Sequence, residues 1–186
     1  MVNNEMTAQN LRSAFGGESQ AYQRYQVWGD KAEKDGYPNV ALLFKAIAYA
    51  EKVHAGNHFE AHDNISGDFL VASGAGFGLG STAENLEGAI AGENFEIEQM
   101  YPSYVTVAKQ QNEKDATRSF HYAVEAEKIH SKLYSEAKEA VEAGNDYDLE
   151  YVSVCEVCGH TVKDDTPDKC PVCGAPRDQF KEFKGN

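Results

Sequence analysis

The sequence predicts a mainly α protein: a four-helix bundle whose two halves are joined by a long crossover, followed by a small C-terminal metal-binding domain. Three observations predict it. First, two stretches 75 or 76 residues apart carry the same acids and histidines in the same order. One holds Asn10-Leu11, Gly17-Glu18, Phe44 and Glu51-Lys52-Val53-His54; the other holds Asn85-Leu86, Gly92-Glu93, Phe120 and Glu127-Lys128-Ile129-His130. Second, four long segments repeat apolar residues at three- and four-residue steps, the spacing of a buried helix face. Third, all four cysteines fall in two C-x-x-C pairs near the end, Cys155/Cys158 and Cys170/Cys173. The bundle is assigned to 1–146 and the cysteine domain to 151–186, with Asp146 to Glu150 as a linker.

Helix one is expected over 7–29, N-capped by Thr7, with Leu11, Phe15, Tyr22 and Tyr25 on its apolar face. Gly16-Gly17 weaken it beside Glu18, a place where another backbone or a bound group can come close. A turn at Lys34-Asp35-Gly36-Tyr37-Pro38 leads into helix two, Asn39 to Asp63, whose apolar face is Val40, Leu43, Phe44, Ile47 and Val53. Ser66 to Ser81 contains four glycines after Gly67 yet matches neither G-x-G-x-x-G nor G-x-x-x-x-G-K-[ST], so it reads as a crossover and not a nucleotide loop. A helix of about 25 residues is roughly 37 Å long at ~1.5 Å per residue, and an extended segment of this size can span that. So long a connection would also permit helix exchange between subunits. Helix three is expected from Thr82 to Gln110 with a kink at Pro102, and helix four from Glu113 to Ala143, stopped by Gly144-Asn145.

Composition narrows the partners. Thirty acids against 17 Lys and Arg give a net charge of −13. Nucleic acid is excluded as a partner because phosphate binding needs a basic footprint. No apolar run approaches the roughly 20 residues that span a bilayer, and Met1-Val2-Asn3-Asn4-Glu5 is not the start of a secretory signal. A cytoplasmic location is expected. There, clustered C-x-x-C pairs favour metal over disulfides.

Residues at i and i+3 share a helix face, so Glu51 pairs with His54, Glu127 with His130, and Glu93 with Glu96. Glu96 aligns with Ala21 of the first half, one carboxylate that breaks the symmetry. Five carboxylates, Glu18 included, and two imidazoles in one bundle interior demand cations, and two divalent irons suit that oxygen and nitrogen set. His58 and His62 continue the stripe of His54 at four-residue steps. A second metal site is conceivable there, but the second half offers only Tyr134 and Lys138, so exposed or core-edge histidines are expected; His121 reads as structural. Four thiolates in a tetrahedron fit iron or zinc equally.

The phrases Gly17-Glu18-Ser19-Gln20-Ala21, Gly92-Glu93-Asn94-Phe95-Glu96, Met100-Tyr101-Pro102 and Ala126-Glu127-Lys128-Ile129-His130, with the ending Cys170-Pro171-Val172-Cys173-Gly174-Ala175-Pro176, resemble the rubrerythrins over essentially the whole chain. The resemblance implies a ferritin-like bundle with a rubredoxin-like tail. It implies that Glu18, Glu51, His54, Glu93, Glu96, Glu127 and His130 hold a non-haem di-iron centre, with Tyr25 and Tyr101 beside it. It implies a mononuclear iron on Cys155, Cys158, Cys170 and Cys173, a site that zinc can fill in recombinant protein. The implied activity is reduction of hydrogen peroxide to water, protecting against oxidative stress, with His54 and Glu96 exchanging at one iron between redox states. Electrons would come from a rubredoxin or an NAD(P)H-linked reductase. A homodimer is also implied, arranged head to tail if one subunit keeps its two sites too far apart. The alternative is a ferroxidase or iron-storage protein, which has no use for an internal electron relay; a non-catalytic zinc-ribbon module is the second rival.

Overall fold

The structure, a computed structural model, describes residues 2–63 and 66–185. Met1 and Asn186, the outer limits of the two expected domains, lie outside the described residues. The helices are α1 (Glu5–Asp35), α2 (Pro38–His62), α3 (Thr82–Phe95), α4 (Tyr101–Gln110) and α5 (Lys114–Glu142). A π-helical turn, Glu96–Met100, joins α3 to α4, so these two form one broken rod and the bundle has four rods.

Helix ends follow local chemistry. Thr7 is not the cap expected: α1 starts earlier, after Asn4, and Glu113 accepts the Asn3 and Asn4 backbone N–H groups at 2.8 and 2.9 Å. Thr7 is instead buried and donates to Gln111 Oε1 at 2.6 Å. The far end of α1 runs past 29 because Ala32 still packs in the core, and it stops at Gly36, whose φ of 90° favours glycine. Ser81 and Glu84 form a reciprocal capping box at the start of α3. The break in the third rod lies just before Pro102 rather than at it, where the Tyr101 N–H reaches back to the Glu96 carbonyl, five residues away.

The crossover runs along α1. Ser13 donates to the Ala72 carbonyl, and Trp28 Nε1 donates to the Gly78 carbonyl at 2.9 Å. The closest approach is at Gly16, where an added Cβ would sit 2.5 Å from Val71 Cγ1. Gly16 therefore serves the crossover, while an added Cβ at Gly17 would meet nothing within 4 Å.

The tail is a three-stranded antiparallel sheet in the order β2-β1-β3: β1 (Tyr151–Cys155), β2 (Thr161–Lys163) and β3 (Phe180–Lys184). Val152 and Val154 of β1 join the main bundle core through its contact with α2. No helix among the described residues is long and apolar enough to cross a membrane.

Candidate metal centre

The duplicated motifs converge. Glu18 on α1, Glu51 and His54 on α2, Glu93 on α3, and Glu127 and His130 on α5 are all at most 2% exposed. Their donor atoms form two groups, each within 4.8 Å: Glu18, Glu51, His54 and Glu127, then Glu51, Glu93, Glu127 and His130. Glu51 and Glu127 belong to both, so the frame is two adjoining positions sharing two carboxylates. Each histidine turns Nδ1 inward: His54 Nδ1 lies 3.0 Å from Glu51 Oε2 and 2.9 Å from Glu127 Oε1, and His130 Nδ1 lies 2.6 Å from Glu127 Oε2. Glu96 stands in neither group; it begins the π-turn and is only partly buried as a residue.

The charges show what the frame lacks. Burial, then neighbouring carboxylates, holds the carboxyls of Glu18, Glu93 and Glu96 well above the ordinary range. For Glu127 burial also pulls upward, but the facing imidazoles of His54 and His130 outweigh it and set the carboxyl low. Burial works against charging those two rings, yet Glu127 and Glu51 push His54 up to about 10 and His130 up to about 9. In this arrangement protons do the neutralising that cations otherwise do. Glu18 Oε2 is buried without a hydrogen bond, while Glu51 Oε1 and Glu127 Oε1 face only the His130 and His54 imidazoles, at 3.3 and 2.9 Å, an arrangement that stays costly unless positive charge answers all three. The residues present therefore fit a pair of divalent cations.

Two tyrosines brace this frame crosswise. Tyr25 of α1 donates to Glu93 Oε1 at 2.5 Å, and Tyr101 donates to Glu18 Oε1. Each half of the duplication thus supplies the phenol for the other half's glutamate.

In the tail, Cys155 and Cys173 Sγ atoms lie 3.6 Å apart, as do those of Cys158 and Cys170. The two knuckles repeat one geometry: Gly159 and Gly174 both take φ of 79°, and their N–H groups bond to the Cys155 and Cys170 carbonyls. The hydrogen bond between Cys155 and Cys158 sets the Cys155 thiol low, to about 5, and the Cys158 thiol high, while burial pushes Cys173 up to about 11; a bound cation is what would bring the other thiols to the charged form.

The two sites touch. A Cβ on Gly159 would collide with His54 Nε2, and His130 Nε2 lies 2.8 Å from Thr161 Oγ1. Only glycine fits against His54 so closely. The reason for expecting head-to-tail pairing, a large separation within one subunit, is absent here.

The sequence profile for Rubrerythrin matches residues 9–138, and that for the rubrerythrin rubredoxin-like domain matches 154–181. Rubrerythrin-2 of Clostridium acetobutylicum is 50% identical over 182 residues, covering 98% of this chain and 99% of its own. The chain belongs to the rubrerythrin family. The rubrerythrin of Porphyromonas gingivalis is 32% identical over 188 residues, covering 100% of this chain and 94% of its own. The structure of fully reduced, all-ferrous nigerythrin superposes with a TM-score of 0.84 at 29% identity, covering 98% of this chain and 88% of its own. The chain has the family's di-iron site, built from carboxylate and histidine groups, and its four-cysteine rubredoxin-like site.

Some residues at the rubrerythrin site escape sequence reasoning. His58 is not the exposed or core-edge residue expected: it is fully buried, with Nδ1 2.7 Å from Ser119 Oγ and Nε2 3.0 Å from Tyr101 Oη. Burial holds it neutral, down to about 3. It does not join His54 and His62 in a second metal site, since His62 Nε2 faces Arg12 at 3.0 Å. His121 is exposed. Ser119 and Thr161 carry no local pattern that marks them. The π-turn, by contrast, did leave a signal in the spacing of the repeat.

Proposed function

We propose that this protein is a non-haem di-iron peroxidase that reduces hydrogen peroxide to water, with electrons passed from the four-cysteine iron to the bundle. The observation that carries this reading is the contact between the sites, Gly159 on His54 and Thr161 on His130. A ferroxidase or storage protein gains nothing from a thiolate site packed against its histidines.

On this reading Glu18 and His54 serve one iron, Glu93 and His130 the other, and Glu51 and Glu127 face both. Two ferrous ions held there would supply the two electrons that break the O–O bond. Tyr25 and Tyr101 fix the orientation of Glu93 and Glu18 by donating to one oxygen of each. Burial excludes bulk water from the six grouped side chains, which strengthens every charge interaction among them. His54 and Glu96 are alternatives for one position. A neutral imidazole suits the ferrous ion and an anionic carboxylate the ferric one; here His54 points in and Glu96 is set back on the π-turn. Cys155, Cys158, Cys170 and Cys173 hold the relay iron, and Cys158 directly precedes the Gly159 that abuts His54. The external donor is a rubredoxin or an NAD(P)H-linked reductase. The relay is complete within one chain, and a homodimer is not required for it.

The test is an anaerobic peroxide assay on iron-reconstituted protein with a reductase supplied. Consumption of one reductant pair per peroxide, with a visible iron–thiolate absorbance that bleaches on reduction and returns with peroxide, is expected. Iron uptake and oxidation by oxygen without peroxide turnover would replace this reading with the ferroxidase.

A further inference from the structure

The duplication supplies an internal comparison that isolates one group of residues. Shifted by 76 positions, His58 corresponds to Tyr134 and Leu43 to Ser119. The ring environments match: His58 packs on Tyr101 and Phe120 with centroids 5.8 and 5.4 Å apart, and Tyr134 packs on Tyr25 and Phe44 at 5.4 and 5.0 Å. The polar connections do not match. Beside Glu18, Tyr101 meets His58, which meets Ser119. Beside Glu93, Tyr25 has no such backing: the Tyr134 hydroxyl is buried without a hydrogen-bond partner, and Leu43 is apolar and fully buried.

Hydrogen-bond polarity fixes how the first line runs. The single Tyr101 hydroxyl proton is donated to Glu18 Oε1. The proton on the 3.0 Å contact between Tyr101 Oη and His58 must then come from Nε2–H. In a neutral ring that leaves Nδ1 as an acceptor, which takes the Ser119 hydroxyl proton at 2.7 Å. Each donor points the same way, from Ser119 toward Glu18, and such a chain strengthens each of its bonds. Ser119 in turn forms part of the wall of a surface hollow of about 250 Å³ that Asn57 and Arg118 also line.

We propose that His58 and Ser119 are positioning residues that lock Tyr101 as a donor to Glu18 and thereby make the two metal positions unequal in how firmly they hold their ions. A carboxylate fixed by a firmly held phenol keeps its other oxygen turned toward its ion, so the line supports binding at the Glu18/His54 position. The Glu93/His130 position lacks this line. The proposal rests on the assignment of Glu18 to one of the two irons made above.

The test uses the full-length protein and needs no turnover. With zinc, a diamagnetic stand-in, filling the bundle, ¹⁵N spectra of the histidines should show His58 protonated at Nε2 and bare at Nδ1; the opposite tautomer or a doubly protonated ring overturns the proposal. Ser119→Ala should keep that tautomer, which Tyr101 dictates, but shift the Nδ1 resonance as its hydrogen bond is lost; an unchanged Nδ1 resonance overturns the proposal. Anaerobic ferrous titration by calorimetry should resolve two bundle steps. Removing a supporting partner typically costs about 10–100-fold in metal affinity, so His58→Leu should weaken one step about tenfold and spare the other. His58→Gln, which can donate and accept at once, should restore most of the loss. Tyr134→Phe should alter neither step. Equal effects on both steps, or an effect of Tyr134→Phe as large as that of His58→Leu, overturn the proposal. Glu18→Ala tests the underlying assignment separately: if it binds two irons as tightly as wild type, the ligand reading falls and the line falls with it. Absence of peroxide turnover would leave all these binding outcomes readable.

Discussion

The carboxylate centre and the cysteine centre meet at Gly159, yet they are built on opposite principles. The first is embedded in rods of 25 to 31 residues whose aromatic and alanine core forms without help from the ligands. Its buried charges oppose that packing, and protons on His54 and His130 relieve the opposition when cations are missing. The cysteine centre has almost no packing of its own: its buried cluster consists of Cys155, Cys158 and Cys170 themselves, with Tyr122 of α5 and a few tail side chains against it. A module this small lacks the core to order itself. In the bundle the fold positions the metal; in the tail the metal positions the fold.

The largest effect that could break this contrast is metal removal. Chelation of both sites should unfold 151–184 while the helices persist. Amide exchange should show lost protection in β1, β2 and β3 with α1, α2 and α5 still protected; joint loss in both regions would show that the contrast is false. Next in size is Cys158→Ser, which spoils the relay but leaves the bundle intact. Steady turnover should fall by about a hundredfold or more, while protein reduced beforehand still consumes one equivalent of peroxide. If that single round is also lost, the division of labour between the sites fails.

The same contrast explains what could be read from the sequence. A ligand set on helices is legible because helix periodicity fixes the face. Glu-x-x-His in two matched contexts put Glu51, His54, Glu127 and His130 together, as observed. The spacing even recorded the π-turn. The repeat offset is 75 residues at Glu18/Glu93 and 76 at Glu51/Glu127, and the bracing tyrosines lie seven and eight residues after their glutamates. One inserted residue between Glu93 and Tyr101 is what a π-turn absorbs, and Glu96–Met100 fills that interval. The effect is to set Glu96 on a wider turn than the regular i, i+3 face implies. Contacts between distant segments left no such trace. Ser119 beside His58, and Thr161 beside His130, depend on how rods and sheet pack, and a lone Ser or Thr has no periodic partner. His58 was misplaced because its counterpart is Tyr134, an aromatic that suggests packing, while its own partners are polar.

A milder perturbation acts on the contact itself. Gly159→Ala places a methyl where His54 Nε2 now sits, so the tail, and not the ring held between Glu51 and Glu127, must shift outward. Its φ of 79° adds backbone strain for any residue with a Cβ. Both metals should still load, since neither ligand set is altered. Re-reduction of the bundle by the four-cysteine iron, followed by stopped-flow absorbance, should slow by about tenfold or more while the reaction of prereduced protein with peroxide keeps its rate. Unchanged re-reduction would mean that electrons do not pass at this contact.

The smallest effect probes how protons substitute for cations, and its sign follows from linkage. His54 and His130 have folded values of about 10 and about 9 against 6.5 when free. Groups raised on folding stabilise fully below the unfolded value, and that stabilisation is lost as pH rises through the folded value. Glu18, Glu93 and Glu96, also raised, act in the same direction. Glu127 and His58 are lowered, so their contributions change only in acid, below about 4.5 and 6.5 respectively, and leave the alkaline window to the others. Metal-free protein should therefore lose stability between about pH 6.5 and 10, with the bundle Tm falling on the order of 5–10 °C, given a few kcal/mol lost at roughly 2–4 °C each. In metal-loaded protein the same nitrogens are already deprotonated by their ion, so the slope should flatten. A metal-free bundle whose Tm stays level across that window would show that its interior charges are neutralised by something other than the two histidines. The distinction between a preformed frame and a frame held by protons would then have to be redrawn.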